Sequence, residues 1–209
     1  MVKSGLENFP DEEKKQASVS PYRLTIHFGM AIALYMTVLS TYFKLVNHMN
    51  HNSKNLSFGL RMQNNTILLL LISTGLIGSF VAGNRAGKIY NSWPKMGLNW
   101  IPNDIWLTEL GYDNLFKNPT TIQFIHRTIA TATLILGIWH SKIIYYAYIT
   151  KGIKKSAILF STFLGIQFVA GIATLLFNCT ASMGCLHQAG FLATIGTFLK
   201  LRYKIYSFI

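Results

Sequence analysis

Residues 120–141 read TTIQFIHRTIATATLILGIWHS, and this stretch decides how the chain folds. It is an apolar run long enough to cross a lipid bilayer, which takes roughly 20 residues of helix. His126 and Arg127 lie about one and a half turns inside its start. Ionisable side chains at that depth are costly unless they face a cavity, a cofactor or a partner. The stretch therefore predicts a membrane helix that carries a functional site.

A second apolar run, residues 184–206, repeats the arrangement with His187 near its start. Neutral imidazole is the commonest metal ligand in proteins, and two imidazoles from facing helices give a low-spin, six-coordinate haem iron. We therefore predict that His126 and His187 bind one haem between them. The alternative is that they are unrelated polar residues, each hydrogen-bonded inside the bundle. For Arg127 two roles stay open, a salt bridge to a haem propionate or snorkelling to the membrane interface.

The composition is typical of an integral membrane protein. Of the 209 residues, 51% are hydrophobic and 12% are charged, whereas about 25% of the residues of an average soluble domain are charged. The formal net charge of +12 would suggest a nucleic-acid partner for a soluble protein. Here the basic residues lie at the ends of apolar segments, so we expect membrane lipid around the chain and no nucleic acid.

Five apolar segments each approach the length of a membrane-spanning helix. They are residues 22–45, 66–82, 121–146, 157–177 and 184–206. This pattern predicts an all-α, polytopic membrane bundle with five transmembrane helices: a lone helix, 22–45, and a four-helix haem-binding bundle within 66–206. An N-terminal segment (1–21), an inner linker (46–65) and an outer loop (83–119) complete the predicted organisation. The aromatic composition of that loop predicts that it lies over the outer end of the bundle.

The charges predict the orientation in the membrane. Lysine and arginine occur without any acid in the linker after the first helix, between the third and fourth helices, and after the fifth; all seven acidic residues lie on the other side. Under the positive-inside rule, the basic side faces the cytoplasm or the mitochondrial matrix. We therefore expect a bacterial cytoplasmic or mitochondrial inner membrane, with the N-terminus outside. His27, His126 and His187 then share one depth in the outer leaflet.

Three further groups of histidines carry weaker predictions. His27, on the first helix, has no partner histidine in this chain that could act as a second iron ligand. Three roles stay open for it: a ligand of a five-coordinate iron with one open position, a ligand of a site completed by another helix, or plain packing. His140 is placed at the inner membrane interface, because no other helix offers a second ligand at its depth. His48 and His51 form an H-x-x-H pair, which is weak evidence for a metal site.

Other residues bear on how the helices meet. A stripe of small residues recurs every four positions in the second segment: Gly75, Ser79 and Gly83. This spacing lets another helix approach closely. Gln167, inside the fourth segment, is expected to hydrogen-bond to another helix. Cys179 and Cys185 flank the turn between the fourth and fifth segments, where a disulfide and a reduced pair are equally open.

Five sequence motifs run in order along nearly the whole chain. They are VKSGL at 2–6, PYRLTIHFG at 21–29, FVAGNRAGKIYNSWP at 80–94, PTTIQFIHR at 119–127 and HQAG at 187–190. Together they resemble the haem A synthase family, in its mitochondrial and alphaproteobacterial type. The resemblance implies eight helices in two similar four-helix bundles, the second holding haem b between two histidines that match His126 and His187. It also implies a substrate-haem site in the first bundle, where one histidine matches His27.

The resemblance covers only the last five of the family's eight helices. The E-x-x-H-R motif of the family's second helix, with its glutamate, has no counterpart here, so no catalytic residue can be assigned. The resemblance implies the C-terminal part of a membrane oxidoreductase that oxidises the C8 methyl group of haem O to a formyl group in haem A biosynthesis, for cytochrome oxidase assembly. We expect this chain alone to bind haem but to be inactive.

Completion of the enzyme would need a partner. The missing N-terminal half, a separate subunit that supplies it, and a homo-oligomer are the partners we consider. A small b-type cytochrome electron-transfer subunit is the alternative function, and a haem-free assembly subunit is a third. The electron donor is not predicted.

Overall fold

The computed structural model describes residues 19–46 and 57–208, with side chains as far as Tyr206. Within these ranges the fold is all-α, as predicted, and five long helices dominate it. They are α1 Pro21–Val46, α2 Phe58–Gly83, α3 Pro119–Ala147, α4 Lys151–Leu176 and α5 Ala181–Phe208. A one-turn helix, Asn114–Lys117, precedes α3, and two 3-10 turns, Ala86–Lys88 and Thr108–Asp113, lie in the loop before it.

Four of the helices, α1 to α4, are long and apolar enough to cross a membrane. Helix α5 has 28 residues, more than the roughly 20 that a span needs, but it is not among the four. Its polar first turns and the basic residues Lys200, Arg202 and Lys204 account for the difference. The protein is therefore an integral membrane protein with four candidate spans in its described part, and the fifth span stays a prediction.

The helices extend beyond the apolar segments that predicted them. Helix α2 begins at Phe58, inside the range predicted as linker, because the Ser57 side chain caps it by accepting the N–H of Leu60. Helix α3 begins at Pro119, in the first helical position where no N–H is needed, and Asn118 is its N-cap. Hydropathy alone misses such polar first turns, because their helical structure depends on capping.

Helices α2 to α5 pack in chain order into a four-helix bundle. The half of the bundle away from the long loop is filled by apolar side chains: Ile67, Leu71, Ile144, Ile153, Ala157, Phe160, Leu164, Phe198, Leu201 and Ile205. Gly137 lets α3 approach α4 closely here, since a Cβ at this position would lie 2.4 Å from Leu164 Cδ2. The other half, at the loop end, has space inside.

Helix α1 is not the lone helix that the sequence predicted. It packs against α2 and α5 and buries Ile32 against α5. The small residues of α2 admit it: Ser79 Oγ donates to Thr25 Oγ1 at 2.7 Å, and a Cβ at Gly83 would lie 2.7 Å from Pro21 Cα. The close approach predicted for this stripe is therefore made by α1 at Ser79 and Gly83, and by Phe191 of α5 at Gly75.

The long loop, residues 84–118, lies across the first turn of α3 and the last turn of α4, and its place on the outer side of the membrane stays a prediction. The Trp93 ring packs edge-on against Phe168 of α4, with ring centroids 5.7 Å apart. Asn91 Nδ2 donates to the carbonyl oxygen of Leu175, at the end of α4, at 2.9 Å. The loop thus closes the hollow half of the bundle.

Candidate functional site

A cavity of about 550 Å³ occupies the loop end of the bundle. All five long helices and the loop contribute to its wall, which is mostly apolar. His27 of α1, His126 of α3 and His187 of α5 all line it. The structure thus brings together the three histidines that the sequence placed at one depth. The volume lies within the roughly 300–1,000 Å³ that is typical of small-molecule and cofactor sites.

His126 packs against a glycine of the neighbouring helix. A Cβ at Gly78 of α2 would lie 3.1 Å from His126 Cε1, so the ring occupies the space that a side chain would need. The Nδ1 atom of His126 is buried and has no hydrogen-bond partner among the described residues. Most buried polar atoms in proteins have a partner, and an exception needs an explanation such as a water, an ion or a ligand. His126 therefore presents an imidazole whose polar contacts are incomplete.

His187 lies in a similar way against α4. A Cβ at Gly171 would lie 2.9 Å from His187 Cε1. Gln167, one turn earlier on α4, places its Nε2 at 3.1 Å from His187 Nδ1 and donates to the His187 carbonyl oxygen at 3.0 Å. The prediction that Gln167 bonds to another helix is confirmed. These contacts fix the orientation of the ring from α4.

Arg127 links the loop to α3. Its Nη2 donates to the carbonyl oxygen of Tyr90 at 2.9 Å and its Nη1 to that of Lys95 at 3.4 Å. The guanidinium also lies over the Trp93 ring, 5.8 Å from its centroid. Its Nε is buried without a partner among the described residues, and the side chain lines the cavity. Pairing with an anionic group of a ligand therefore stays a prediction, beside the observed role in anchoring the loop.

A hydrogen-bond cluster around Asp104, which the sequence analysis missed, fastens the loop to the first turn of α3. The carboxylate accepts Tyr90 Oη at 2.7 Å and Thr120 Oγ1 at 2.7 Å, and Asn118 Nδ2 donates to the Asp104 carbonyl oxygen at 3.0 Å. Burial alone would raise the pKa of Asp104, but the hydrogen bonds from Tyr90 and Thr120 outweigh burial and lower it. The hydrogen bond to Asp104 raises the pKa of Tyr90. The pair Asn118–Pro119, a helix-start pattern, was the signal in the sequence that could have located this cluster.

His27 lies at the edge of the cavity and its side chain is exposed. The resemblance assigned it to a substrate-haem site in a different bundle from His126 and His187. In the structure it lines the same cavity as those two residues. The role of His27 stays a prediction.

His140 is buried between helices, and its predicted depth at the inner membrane interface stays a prediction. Only 1% of its surface is exposed, because its face of α3 turns toward α2, where His140 Nδ1 lies 3.3 Å from Gln63 Oε1. It belongs to the packed half of the bundle and is not part of the cavity wall. His48 and His51 fall outside the described residues.

Both cysteines are free thiols, so the structure shows the reduced pair and no disulfide. Cys179 is half-buried, and a Cβ at Gly87 would lie 2.5 Å from its Sγ. Burial raises the pKa of the Cys179 thiol, and the nearby Lys88 offsets this only in part. Cys185, in the first turns of α5, is exposed.

The residues around the cavity fit a haem. The wall is apolar, imidazoles enter it from α3 and α5, and His126 has a buried nitrogen without a partner. Nowhere in residues 19–46 or 57–208 do three His, Cys, Asp or Glu side chains converge on one point as a closed metal site would require. Two imidazoles and a large apolar space are instead the protein contribution to a six-coordinate haem iron.

Fold and site together define an all-helical membrane protein whose bundle encloses an apolar cavity with imidazoles in its wall. The chain belongs to the COX15-CtaA family, described as cytochrome oxidase assembly protein, whose profile matches residues 1–199. The resemblance to haem A synthases is therefore confirmed.

Relatives in animals and bacteria carry the name heme A synthase. Heme A synthase COX15 of Mus musculus is 37% identical over 211 residues, which cover 98% of this chain and 50% of the relative. The Bos taurus protein of the same name is 35% identical over 213 residues, with the same two coverages. Heme A synthase of Nitrosospira multiformis is 33% identical over 207 residues, 98% of this chain and 56% of the relative. The chain spans about half the length of the curated relatives it matches.

Proposed function

We propose that this chain is the haem-bearing part of a membrane oxidoreductase that makes haem A for cytochrome oxidase assembly. Its family and its heme A synthase relatives support a role in haem A biosynthesis. The observation that carries the proposal is one apolar cavity with His126 and His187 in its wall. The reaction is oxidation of the C8 methyl group of haem O to a formyl group.

His126 and His187 would hold haem b, which would supply one-electron transfer when bound. The chain's own residues prepare the place for it. Gly78 and Gly171 leave room for the two rings beside α2 and α4. The apolar wall keeps water away and lowers the local dielectric, which tunes the properties of a bound metal. Arg127, at the loop end, is the residue available to an anionic propionate.

His27 is the residue that we propose faces haem O, because it reaches the same cavity from α1. All seven acidic residues of the sequence lie outside the apolar segments, whereas oxidation of a methyl group calls for a group that handles protons. That group would come from a further segment of the protein, a separate subunit or a second copy. We expect this chain alone to bind one haem and not to turn over haem O.

The membrane arrangement is part of the proposal. Helix α5 would cross the bilayer with α1 to α4, since its 28 residues are sufficient in length. The loop end, with the cavity, would face the outer side, because the other side holds lysine and arginine without acids.

A reduced-minus-oxidised absorption spectrum of the purified, haem-reconstituted chain tests this proposal. We expect a low-spin b-type spectrum that is lost in His126→Ala and in His187→Ala. His140→Gln is the matched control, because His140 is a buried histidine of α3 that does not line the cavity, and it should keep the spectrum. Wild-type spectra in both alanine variants would contradict the ligand assignment.

The same preparation tests whether this chain needs a second part to oxidise haem O. Incubation with haem O, a reductant and oxygen should leave haem O unchanged, because the described spans provide no acidic group. Formation of haem A by this chain alone would show that no second part is needed. No observation favours the alternative of a small electron-transfer cytochrome.

A further inference from the structure

Gln167 contacts His187 through two hydrogen-bonding positions. Its amide nitrogen lies 3.1 Å from His187 Nδ1 and 3.0 Å from the His187 carbonyl oxygen. Its amide oxygen, Oε1, is buried and has no hydrogen-bond partner in the part of the chain that the structure describes. Gly190 provides the space for this oxygen, since a Cβ there would lie 2.4 Å from Oε1. The amide therefore has its donor engaged and its acceptor unused.

This orientation decides which tautomer His187 adopts. An amide nitrogen can only donate, so Nδ1 must accept, and the proton of the neutral ring then sits on Nε2. A protonated Nε2 has no lone pair for a metal. Ligating histidines usually donate a proton from their other nitrogen to an acceptor, which fixes the ring and raises its basicity as a ligand. The unused Oε1 is an acceptor of the kind that this arrangement needs.

We propose that Gln167 is the positioning residue that controls whether His187 can bind iron. A half-turn of the amide breaks the bond from Nε2 of Gln167 to the His187 carbonyl oxygen and brings Oε1 to Nδ1. Nδ1 takes up one proton while Nε2 of His187 releases one, so that no net charge appears. Nε2 is then free to bind. The inference rests on the proposed function for the identity of the ligand, but the link between amide orientation and tautomer does not.

A second histidine–glutamine pair provides a matched control. At His140 the amide oxygen of Gln63, not its nitrogen, lies 3.3 Å from the ring Nδ1. That pair is in the packed half of the bundle, away from the cavity. A change at Gln63 perturbs helix packing and a histidine tautomer in the same way, without touching the predicted haem ligand.

The tautomer is measured without haem. In the purified, haem-free chain with ¹⁵N-labelled histidine rings, the His187 resonances are those that His187→Ala removes. We expect protonated Nε2 and unprotonated Nδ1 in the unmodified chain, and protonated Nδ1 in Gln167→Glu, whose carboxylate accepts. A protonated Nδ1 in the unmodified neutral ring would overturn the inference, whether or not the chain binds haem.

Haem titration followed by the Soret band supplies the second test. Gln167→Met fills the space but offers no acceptor, and haem affinity should fall roughly 10–100-fold, the usual effect of losing a partner of a metal-ligating histidine. Gln167→Glu should bind at least as tightly as the unmodified chain, and Gln63→Met should bind equally. Unchanged affinity in Gln167→Met, or equal losses in Gln167→Met and Gln63→Met, would overturn the inference. Absence of haem binding by the unmodified chain would instead contradict the proposed function.

Discussion

The two helix pairs of the bundle, α2–α3 and α4–α5, place their histidines alike but support them differently. In each pair a ring lies against a glycine of the preceding helix, His126 against Gly78 and His187 against Gly171. One turn before those glycines stand Thr74 and Gln167. Gln167 bonds to the ring of His187, whereas the Thr74 hydroxyl donates to the Leu70 carbonyl oxygen and contacts Thr133.

The difference shows that steric fit and polar support are separate requirements. Glycine opposite a ring fixes how near the ring can come to the neighbouring helix. In the α4–α5 pair the second residue, Gln167, also occupies Nδ1 of the ring by hydrogen bonding. In the α2–α3 pair, α3 is held by the loop, because Arg127 and the Asp104 cluster form hydrogen bonds between the loop and the start of α3.

The largest expected effect comes from filling the space opposite the rings. In Gly171→Ala the new Cβ would lie 2.9 Å from His187 Cε1, and Gln167 prevents the ring from moving away. Overpacking of this kind costs about 1–3 kcal/mol of folding free energy, and displacement of the ring from its place in the cavity should lower haem affinity as well. Gly78→Ala should cost less, because the contact is longer, 3.1 Å, and Nδ1 of His126 has no partner that restrains the ring. Soret titration of both variants measures the difference.

Gly165→Ala is the control on the same helix. A Cβ at Gly165 meets nothing within 4 Å, so haem affinity should not change, and the better helix propensity of alanine should stabilise α4 by about 0.5–1 kcal/mol. A larger loss in Gly78→Ala than in Gly171→Ala would show that the α2–α3 pair is the more rigid one.

The second-largest effect concerns the hydrogen bonds of Asp104 that attach the loop to the start of α3. Asp104→Ala removes the acceptor of Tyr90 Oη and Thr120 Oγ1, and Thr120 is only 2% exposed. Leaving buried donors without a partner costs about 1–3 kcal/mol. We expect a lower midpoint of thermal unfolding in detergent and faster trypsin cleavage after Lys95 in the loop.

Asp113→Ala provides the comparison for Asp104→Ala. Asp113 pairs with Lys117 at 2.8 Å, but the side chains are 54% and 56% exposed, and such surface pairs contribute little. Equal effects of the two substitutions would mean that the Asp104 cluster does not hold the loop.

Low pH should weaken the stabilisation that the Asp104 carboxylate provides. The folded-state pKa of Asp104 lies below its ordinary value of 3.8, so its contribution to stability is fully present above that value and is lost as pH falls through the lowered pKa. The difference in thermal midpoint between the unmodified chain and Asp104→Asn should therefore shrink as the pH approaches and passes below about 4. A difference that stays constant over this range would show that the carboxylate charge is not involved.

Much of this fold follows from the sequence, because apolar runs of membrane length are an unambiguous signal. The meeting of His126 and His187 at one end of the bundle, and the bond from Gln167 to a neighbouring helix, required only helix periodicity and the cost of polar groups in lipid. Both were predicted from the sequence. The start of α2 at Phe58 was not, since hydropathy gives no weight to the capping residue Ser57.

The sequence alone does not predict how the helices pack against one another. The direction in which a helix faces is fixed by its neighbours, so the sequence did not predict that α3 turns His140 toward Gln63 of α2. The same holds for the glycines. Gly78 and Gly171 stand in helices as ordinary small residues, and only packing shows that each lies opposite a histidine ring.

The smallest effect concerns the two thiols at the turn between α4 and α5. Alkylation requires the thiolate; Cys179 is half-buried with a raised pKa, whereas Cys185 is exposed. With maleimide at neutral pH, Cys179→Ser should therefore label faster than Cys185→Ser, each variant retaining one thiol. Because Cys179 lines the cavity and Cys185 does not, bound haem should slow labelling of Cys179 further and leave Cys185 unchanged. Equal rates with and without haem at Cys179 would mean that the occupied part of the cavity does not extend to the turn that joins the α4–α5 pair.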